Sequence, residues 1–321
     1  AVSPLLLAAA ALAACDDGAA GAPDTVSAAD AWEDVQAGDE DTERETDGAT
    51  PIPEPLAGGQ QLLTDPYTLA SGDEKYYCYT FTAPSDADVG IVAVDNIAGQ
   101  LVHHVALFRA PVPEEEGFHE CNVLIRLSWM PIWASGRGGA DLRLPDGVAF
   151  KVQAGTQYVL QYHLLNANIV PVTERSAVNL TYVRDLQNYQ PAGIFALGQF
   201  MLEIPAGAIG YAQDTGCAVE QDMTVFAAFP HMHTLGKKLE LFQGPSEDTL
   251  TRSYAIDPWP FGDQPFDPVD LHIRAGEHVR SRCTWDNPTG HDVSFGESTN
   301  DEMCFLVLFA YPMPEISGCG F

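Results

Sequence analysis

The sequence predicts an all-β chain folded as two tandem antiparallel β-sandwich domains. From Leu56 onward, short runs rich in β-branched and aromatic residues alternate with turn signals such as Pro145-Asp146-Gly147. No segment of useful length carries a helical hydrophobic period, and many short strands at this spacing are typical of sandwiches or barrels. The expected strands are Tyr76–Ala83, Val89–Asp95, Leu101–Phe108, Thr156–Leu164, Ala177–Val183, Met223–Phe229, Lys238–Phe242, His278–Trp285 and Met303–Tyr311.

The length of 321 residues is enough for two domains that each have a core. A polar stretch from Arg184 to Ala192, which contains Pro191, is the expected boundary between them. We therefore expect an N-terminal sandwich over residues 57–186 and a C-terminal sandwich over residues 187–321, both jelly-roll-like.

The N-terminal region predicts export and anchoring. Leu5 to Ala14 is an apolar run too short to span a bilayer but suited to a signal peptide, and Leu12-Ala13-Ala14-Cys15 resembles the lipobox of bacterial lipoproteins. Residues 1–15 are interpreted as that signal, with Cys15 lipidated, and residues 16–56 as a disordered acidic linker. The alternative is an ordinary secretory signal with a chance cysteine. We expect a lipid-anchored protein of the bacterial cell envelope, in contact with the membrane only through the lipid.

The charge excludes one class of partner. The chain has 45 acidic and 15 basic residues, for a net charge of −30. Such a chain repels nucleic acid and anionic membrane surfaces but is compatible with metal cations and small molecules.

The cysteines predict disulfides. Setting Cys15 aside leaves six cysteines, and an even number in an exported chain indicates disulfide bonds. None of them forms the C-x-x-C pair that is typical of a zinc ribbon. Spacing alone leaves about 15 pairings open. The set is Cys78, Cys121, Cys217, Cys283, Cys304 and Cys319.

One candidate metal site is formed by His231 and His233. In a strand these positions project from one face, so both imidazoles can reach one metal ion. If Met303 faces them, its soft thioether selects Cu(I) and disfavours zinc. The alternative is a pair of surface histidines on an edge strand, and a methionine that only packs.

A second candidate site contains His103, His104 and His163, three imidazoles that would hold copper in either oxidation state. Adjacent strand residues point to opposite faces, so joint binding by His103 and His104 requires a bulge, a strong twist or a strand end. Taken alone, the pair favours one core and one surface histidine.

Four motifs, HHVALF, LQYH, HMHTLG and DEMC, occur in this order at a spacing that resembles the copper type II, ascorbate-dependent monooxygenases. The resemblance covers roughly residues 60–321. It implies one copper held by His103, His104 and His163, a second held by His231, His233 and Met303, and a cleft between the sandwiches. It also implies three disulfides, which are Cys78–Cys121, Cys217–Cys319 and Cys283–Cys304.

The implied reaction is hydroxylation of a C–H bond of a small organic substrate, with O2 and ascorbate or another one-electron donor as co-substrates. O2 would bind at the second copper, the first would deliver an electron across a solvent-filled gap, and Gln161 would line the cleft. Peptide-hydroxylating members carry Arg, Asn and Tyr where this chain has Phe229, Phe305 and Val307, so we expect a more hydrophobic substrate and no peptide amidation.

We therefore predict a monomeric copper monooxygenase. A non-catalytic copper-binding or copper-storing lipoprotein of the cell envelope is the main alternative. A structural surface lipoprotein with incidental histidines is another.

Overall fold

The computed structural model describes residues 52, 58–121, 129–135, 141–262, 264–296, 300–313 and 316–320. Within them the regular structure is β-strand with one short 3₁₀ turn, so the all-β prediction is confirmed. The described residues contain no helix that is long and apolar enough to cross a membrane. The predicted signal peptide, the lipobox Cys15 and, apart from Ile52, the predicted linker lie outside the described residues.

The first sandwich consists of thirteen strands. They are β1 (Gln60–Leu63), β2 (Tyr67–Leu69), β3 (Glu74–Thr82), β4 (Val89–Ile97), β5 (Val102–Ala110), β6 (Gly117–Glu120), β7 (Met130–Ser135), β8 (Leu142–Arg143), β9 (Val148–Val152), β10 (Gln157–Leu165), β11 (Val172–Glu174), β12 (Ala177–Val183) and β13 (Gln190–Pro191). One main sheet has the order β1-β12-β4-β9-β13 with β8 beside β4, and the other has the order β6-β3-β10-β5-β7. The strands β11 and β2 form a separate pair.

The second sandwich follows the same plan. Its strands are β14 (Gly193–Gly198), β15 (Glu203–Ile204), β16 (Ile209–Ala218), β17 (Met223–His231), β18 (Gly236–Gly244), β19 (Thr251–Ile256), β20 (Asp267–Ile273), β21 (His278–Asp286), β22 (Val293–Ser294), β23 (Phe305–Tyr311) and β24 (Ser317–Cys319), with the 3₁₀ turn at Glu247–Thr249. The sheet orders are β20-β17-β23-β14-β24 and β16-β21-β18-β19, and β15 pairs with β22. The predicted boundary at 186/187 falls between β12 and β13 and stays a prediction, since β13 still pairs with β9.

Each core lies between two sheets. In the first sandwich Val94 and Leu180 of one sheet pack with Leu107 and Leu160 of the other. In the second sandwich side chains of β17 and β23 pack with side chains of β18 and β21 in the same way, and Trp285 is fully buried there. Burial of such side chains stabilises each core by roughly 1.5–3 kcal/mol per residue.

The sheet that contains β17 and β23 is apolar on both faces. Leu306 and Leu308 point into the second core, whereas the alternate residues Val307 and Phe309 pack against the first. The rings of Phe309 and Phe150, which belong to different sandwiches, are 6.2 Å apart. Because of this two-sided burial, one face of β17 and β23 is turned toward the first sandwich, and this face positions the candidate site.

The described part of the chain contains three disulfides, Cys78–Cys121, Cys217–Cys319 and Cys283–Cys304. These are the pairs that the family resemblance implied. Each bridge lies within one sandwich, and such bridges stabilise a fold by roughly 2–4 kcal/mol, chiefly through the unfolded chain.

Candidate metal centres

A β-bulge places the adjacent histidines of the first cluster side by side. His163 of β10 pairs with His104 of β5, but the next residue, Leu164, pairs with Val102. His103 is therefore the extra residue, and the strict alternation of side chains is broken there. The condition that the sequence set for joint binding is met at this position.

The three imidazoles of the cluster converge through their Nδ1 atoms. Nδ1 of His104 is 3.5 Å from Nδ1 of His103 and 3.3 Å from Nδ1 of His163. Two nitrogens bound to one metal at about 2.0 Å each are at most about 4 Å apart. One atom of each residue lies within 4.8 Å of the other two. The cluster fits a single metal ion held by three ring nitrogens.

Neighbouring side chains fix the ring of His163. Its Nε2 donates a hydrogen bond to Oε1 of Glu74 at 2.6 Å, which leaves the Nδ1 lone pair for a ligand. The ring of Tyr76 stacks on it at a centroid distance of 4.4 Å and an interplanar angle of 3°. Both partners come from β3, which pairs with β10.

The cluster is electrically suited to a cation. Burial lowers the pKa of His104 well below its ordinary value, and the nearby imidazole of His163 lowers it further. Burial also lowers the pKa of His163, although the hydrogen bond to Glu74 opposes this. Neutral imidazoles carry the lone pairs that metal binding needs.

The second cluster begins at the end of β17. His231 is cross-strand partner to Phe305 of β23, and its ring centroid is 5.1 Å from that of His233. Since Phe229 lies on the same face two residues earlier, His231 is on the face turned toward the first sandwich. Pairing of β17 with β20 ends at Ala228. Pro230, which has no backbone N–H to donate, therefore does not interrupt the hydrogen bonds on that side of the strand.

Hydrogen bonds to the outer nitrogens leave both Nε2 atoms as acceptors. Nδ1 of His231 donates to Oε1 of the buried Gln264 at 2.7 Å, and Nδ1 of His233 donates to the carbonyl oxygen of Asp301 at 3.0 Å. Nε2 of His231 is buried and has no hydrogen-bond partner. A buried nitrogen lone pair without a partner is costly, and a bound metal ion would satisfy it. Burial lowers the pKa of His231 to about 4, so its ring is neutral.

Met303 is linked to His233 through its chain neighbours. The last cross-strand pair of β17 and β23 is His231 with Phe305, and Met303 lies two residues before Phe305. Met303 is buried, and the preceding Glu302 accepts a hydrogen bond from the backbone N–H of His233 at 3.0 Å. Two imidazoles and a thioether form a donor set that suits Cu(I).

The two clusters are near enough to interact electrostatically, since His231 and His233 of the second cluster help to lower the pKa of His104 in the first. The ring of Phe261, from the second sandwich, is 6.2 Å from the ring of His103. Gln161, two residues before His163 on β10, is buried at 2% exposure. These positions give the molecule two candidate metal centres at the junction of its sandwiches, a site of the kind found in copper redox proteins.

The comparisons with known proteins agree with this class. Residues 190–320 match the family model described as "Copper type II ascorbate-dependent monooxygenase, C-terminal domain". The chain is 26% identical over 242 residues to "Putative DBH-like monooxygenase protein 2" of Homo sapiens, an alignment that covers 68% of this chain and 48% of that protein. It is 24% identical over 241 residues to "Tyramine beta-hydroxylase" of Caenorhabditis briggsae, covering 68% and 41%. With "DBH-like monooxygenase protein 1" of Mus musculus it shares 22% identity over 294 residues, covering 80% and 48%.

The second sandwich matches the copper type II, ascorbate-dependent monooxygenase family, and the relatives that resemble 68–80% of this chain carry monooxygenase or hydroxylase names. The chain spans about half the length of the curated relatives that it matches.

The predicted location in a bacterial cell envelope is wrong. The relatives come from human, mouse, chicken, nematode and fly, so the similarity is to animal proteins and not to bacterial lipoproteins. The prediction depended on Leu12-Ala13-Ala14-Cys15, and a four-residue pattern of small residues after an apolar run also arises by chance.

Sequence reasoning missed the residues that orient the imidazoles. Glu74, Gln264 and Glu302 each bond to a candidate ligand residue, yet each is an ordinary polar residue in its local sequence. Only Glu302 had a usable signal, since it stands in the DEMC motif directly before Met303. The other two are identified only by strand pairing and loop placement.

Proposed function

We propose that this chain is a copper-dependent monooxygenase that hydroxylates a C–H bond of a small apolar substrate with O2 and ascorbate or a similar one-electron donor. The convergence of three imidazoles, with one ring nitrogen of each within 4.8 Å of the other two, carries the proposal, because it is a donor set that can hold copper. His103, His104 and His163 would hold one copper, and His231, His233 and Met303 would hold the other. Bound copper supplies the redox chemistry, which is transfer of single electrons and activation of O2.

The protein side chains supply orientation and a water-poor surface. Glu74 and Gln264 hold the rings of His163 and His231 so that the free nitrogens face inward. Over one turnover the substrate exchanges a C–H bond for C–OH, and two electrons with two protons convert the other oxygen atom of O2 to water. The three-imidazole cluster is suited to the electron supply, because its donor set accommodates both copper oxidation states.

The side chains next to His231 are apolar. Phe229 lies 6.4 Å from the ring of His231, Phe305 is the cross-strand partner of His231, and Val307 is the partner of Phe229. None of these three side chains can form an ion pair with a carboxylate or an ammonium group. They support a substrate with an uncharged aromatic or alkyl group next to the reacting carbon.

Turnover with a matched pair of substrates tests the proposal. Tyramine is the substrate named for one relative, and 4-ethylphenol has the same skeleton without the amine. With two coppers loaded, ascorbate and ¹⁸O2, we expect one ¹⁸O atom in the alcohol product, and 4-ethylphenol to react at least as fast as tyramine.

Two results would contradict this account. Copper bound at two per chain without ascorbate-dependent O2 uptake would indicate copper storage. Strong preference for the charged amine would mean that an acidic group, not the apolar surface of Phe229, Phe305 and Val307, selects the substrate.

A further inference from the structure

Glu302 is a buried carboxylate surrounded by hydrogen-bond donors. It is 0% exposed. Its Oε2 accepts from the backbone N–H of His233 at 3.0 Å, from Nε1 of Trp285 at 3.0 Å and from its neighbour Met303 N–H at 3.3 Å. Its Oε1 accepts from the N–H of Leu235 at 2.6 Å. All four partners are N–H groups, which match the acceptor-only character of an ionised carboxylate.

The negative charge has no cationic side chain as partner. Within the described ranges no Lys, Arg or His side chain forms an ion pair with Glu302. Burial raises the pKa of its carboxyl group, and the four N–H donors oppose this by stabilising the ionised form. Buried charges are ordinarily paired or close to a metal. Imidazole nitrogens and a thioether bind metal ions as uncharged donors, so a copper ion held by His231, His233 and Met303 would be a cation without an anionic ligand.

The same carboxylate connects the two segments that carry the ligands. It adjoins Met303 in the chain and holds the N–H groups of His233 and Leu235, which flank the turn after β17. The Asp301 carbonyl, one residue earlier, accepts from the ring of His233. The segment 301–303 therefore fixes both the backbone and the ring of that ligand.

We propose that Glu302 is a positioning residue that joins His233 to Met303 and supplies the counter-charge of the metal at the His231–His233–Met303 site. The inference rests on the proposed function, because it needs copper at that site. Glu302 touches neither substrate nor metal ligand atoms in this role. Its effect is electrostatic and acts more strongly on Cu(II) than on Cu(I), since the attraction grows with the charge of the ion.

Glu302→Gln tests this role. The amide has nearly the same size as the carboxylate, but it carries no charge, and its nitrogen cannot accept a hydrogen bond as the replaced oxygen does. Copper alone is the probe, titrated as Cu(I) and as Cu(II) into the full chain against competing chelators. We expect affinity at this site to fall by about 10- to 100-fold, with the larger loss for Cu(II). The reduction potential should rise by about 59 mV for each tenfold difference between the two losses.

Glu174→Gln is the matched control. Glu174 is also buried, and it accepts hydrogen bonds from the backbone N–H groups of Gln100 and Leu101 and from the Tyr67 hydroxyl, but in the first sandwich. It should lower folding stability without shifting the potential of the second site. Glu302→Asp keeps the charge, so its potential should stay closer to that of the wild type than the potential of Glu302→Gln.

The inference is overturned if Glu302→Gln leaves both copper affinities and the reduction potential of the second site unchanged. It is also overturned if Glu174→Gln shifts that potential by the same amount as Glu302→Gln. If Glu302→Gln does not fold, Trp285→Phe replaces it, since that variant keeps the carboxylate but removes one N–H donor. Its potential should fall, because the less solvated charge attracts Cu(II) more strongly, and a rise would refute the counter-charge. A wild-type chain that binds no copper refutes the proposed function and this inference together, whereas normal copper binding in Glu302→Gln refutes this inference alone.

Discussion

At the scale of single residues, two methionines next to the second cluster have different environments. Met232 lies between His231 and His233 in the chain, but it is fully buried in the second core. Met303 is also buried, and it lies two residues before β23, next to Glu302, which accepts a hydrogen bond from the backbone N–H of His233. Only Met303 belongs to the proposed donor set, so substitution can separate the roles of the two thioethers.

Met303→Leu should weaken Cu(I) binding at the second site, and hydroxylation should fall with it. The fold should persist, because a Met-to-Leu exchange in a core usually costs less than about 1.5 kcal/mol. Competitive Cu(I) titration and thermal unfolding of the apoprotein measure the two effects. Met232→Leu is the control, and it should keep wild-type Cu(I) affinity. Equal losses in both variants would show that packing, not a sulfur ligand, determines copper binding.

At the scale of elements, the bulge in β5 decides the geometry of the first cluster. Leu164 pairs with Val102 and His163 with His104, so removing His103 would restore an unbroken ladder. His103 is the bulged residue, and its ring centroid lies 5.7 Å from that of His104 and 5.0 Å from that of His163.

Deletion of His103 should therefore leave a folded chain that retains copper only at the second site. The apoprotein of this variant should be at least as stable as His103→Ala, which keeps the bulge without the ligand, because a regular ladder replaces an irregular one. Denaturant unfolding and copper analysis of both variants provide the comparison. A deletion variant that unfolds would mean that the bulge is needed for the fold itself.

The sequence predicted most long strands to within about two residues, because alternating β-branched and aromatic residues mark them. For example, the strand expected at Ala177–Val183 has those bounds in the structure. The sequence indicates the bulge only as a condition for joint metal binding by His103 and His104. It cannot predict the bulge itself, because a register shift depends on the partner strand. The carboxylate of Glu74 reaches His163 only through the pairing of β3 with β10, which local sequence does not encode.

At the scale of the whole molecule, both candidate centres gather buried imidazoles at the junction of the sandwiches. Burial lowers the pKa of His104, His163 and His231, the last to about 4. The unfolded chain has ordinary histidines with pKa values of about 6.5. Protons therefore bind to the unfolded state first as the pH falls.

The apoprotein should lose stability as the pH is lowered from about 6.5 toward 4. Above this window the buried rings and the unfolded rings are both neutral, and no stability depends on them. His231 alone accounts for up to about 3 kcal/mol of the loss. Denaturant unfolding across this range measures it. His231→Gln should flatten the profile, whereas His272→Gln, which replaces a side chain that is 72% exposed, should not. A flat wild-type profile would contradict the burial of neutral imidazoles.

X-ray absorption at the copper K-edge, combined with copper analysis of the reduced chain, tests the central claim most directly. The account predicts two coppers per chain, a first shell dominated by imidazole nitrogen, and one sulfur for every two coppers. Fewer than two bound coppers, or a fully loaded reduced protein without a sulfur scatterer, would contradict the two sites assigned to His103, His104, His163, His231, His233 and Met303.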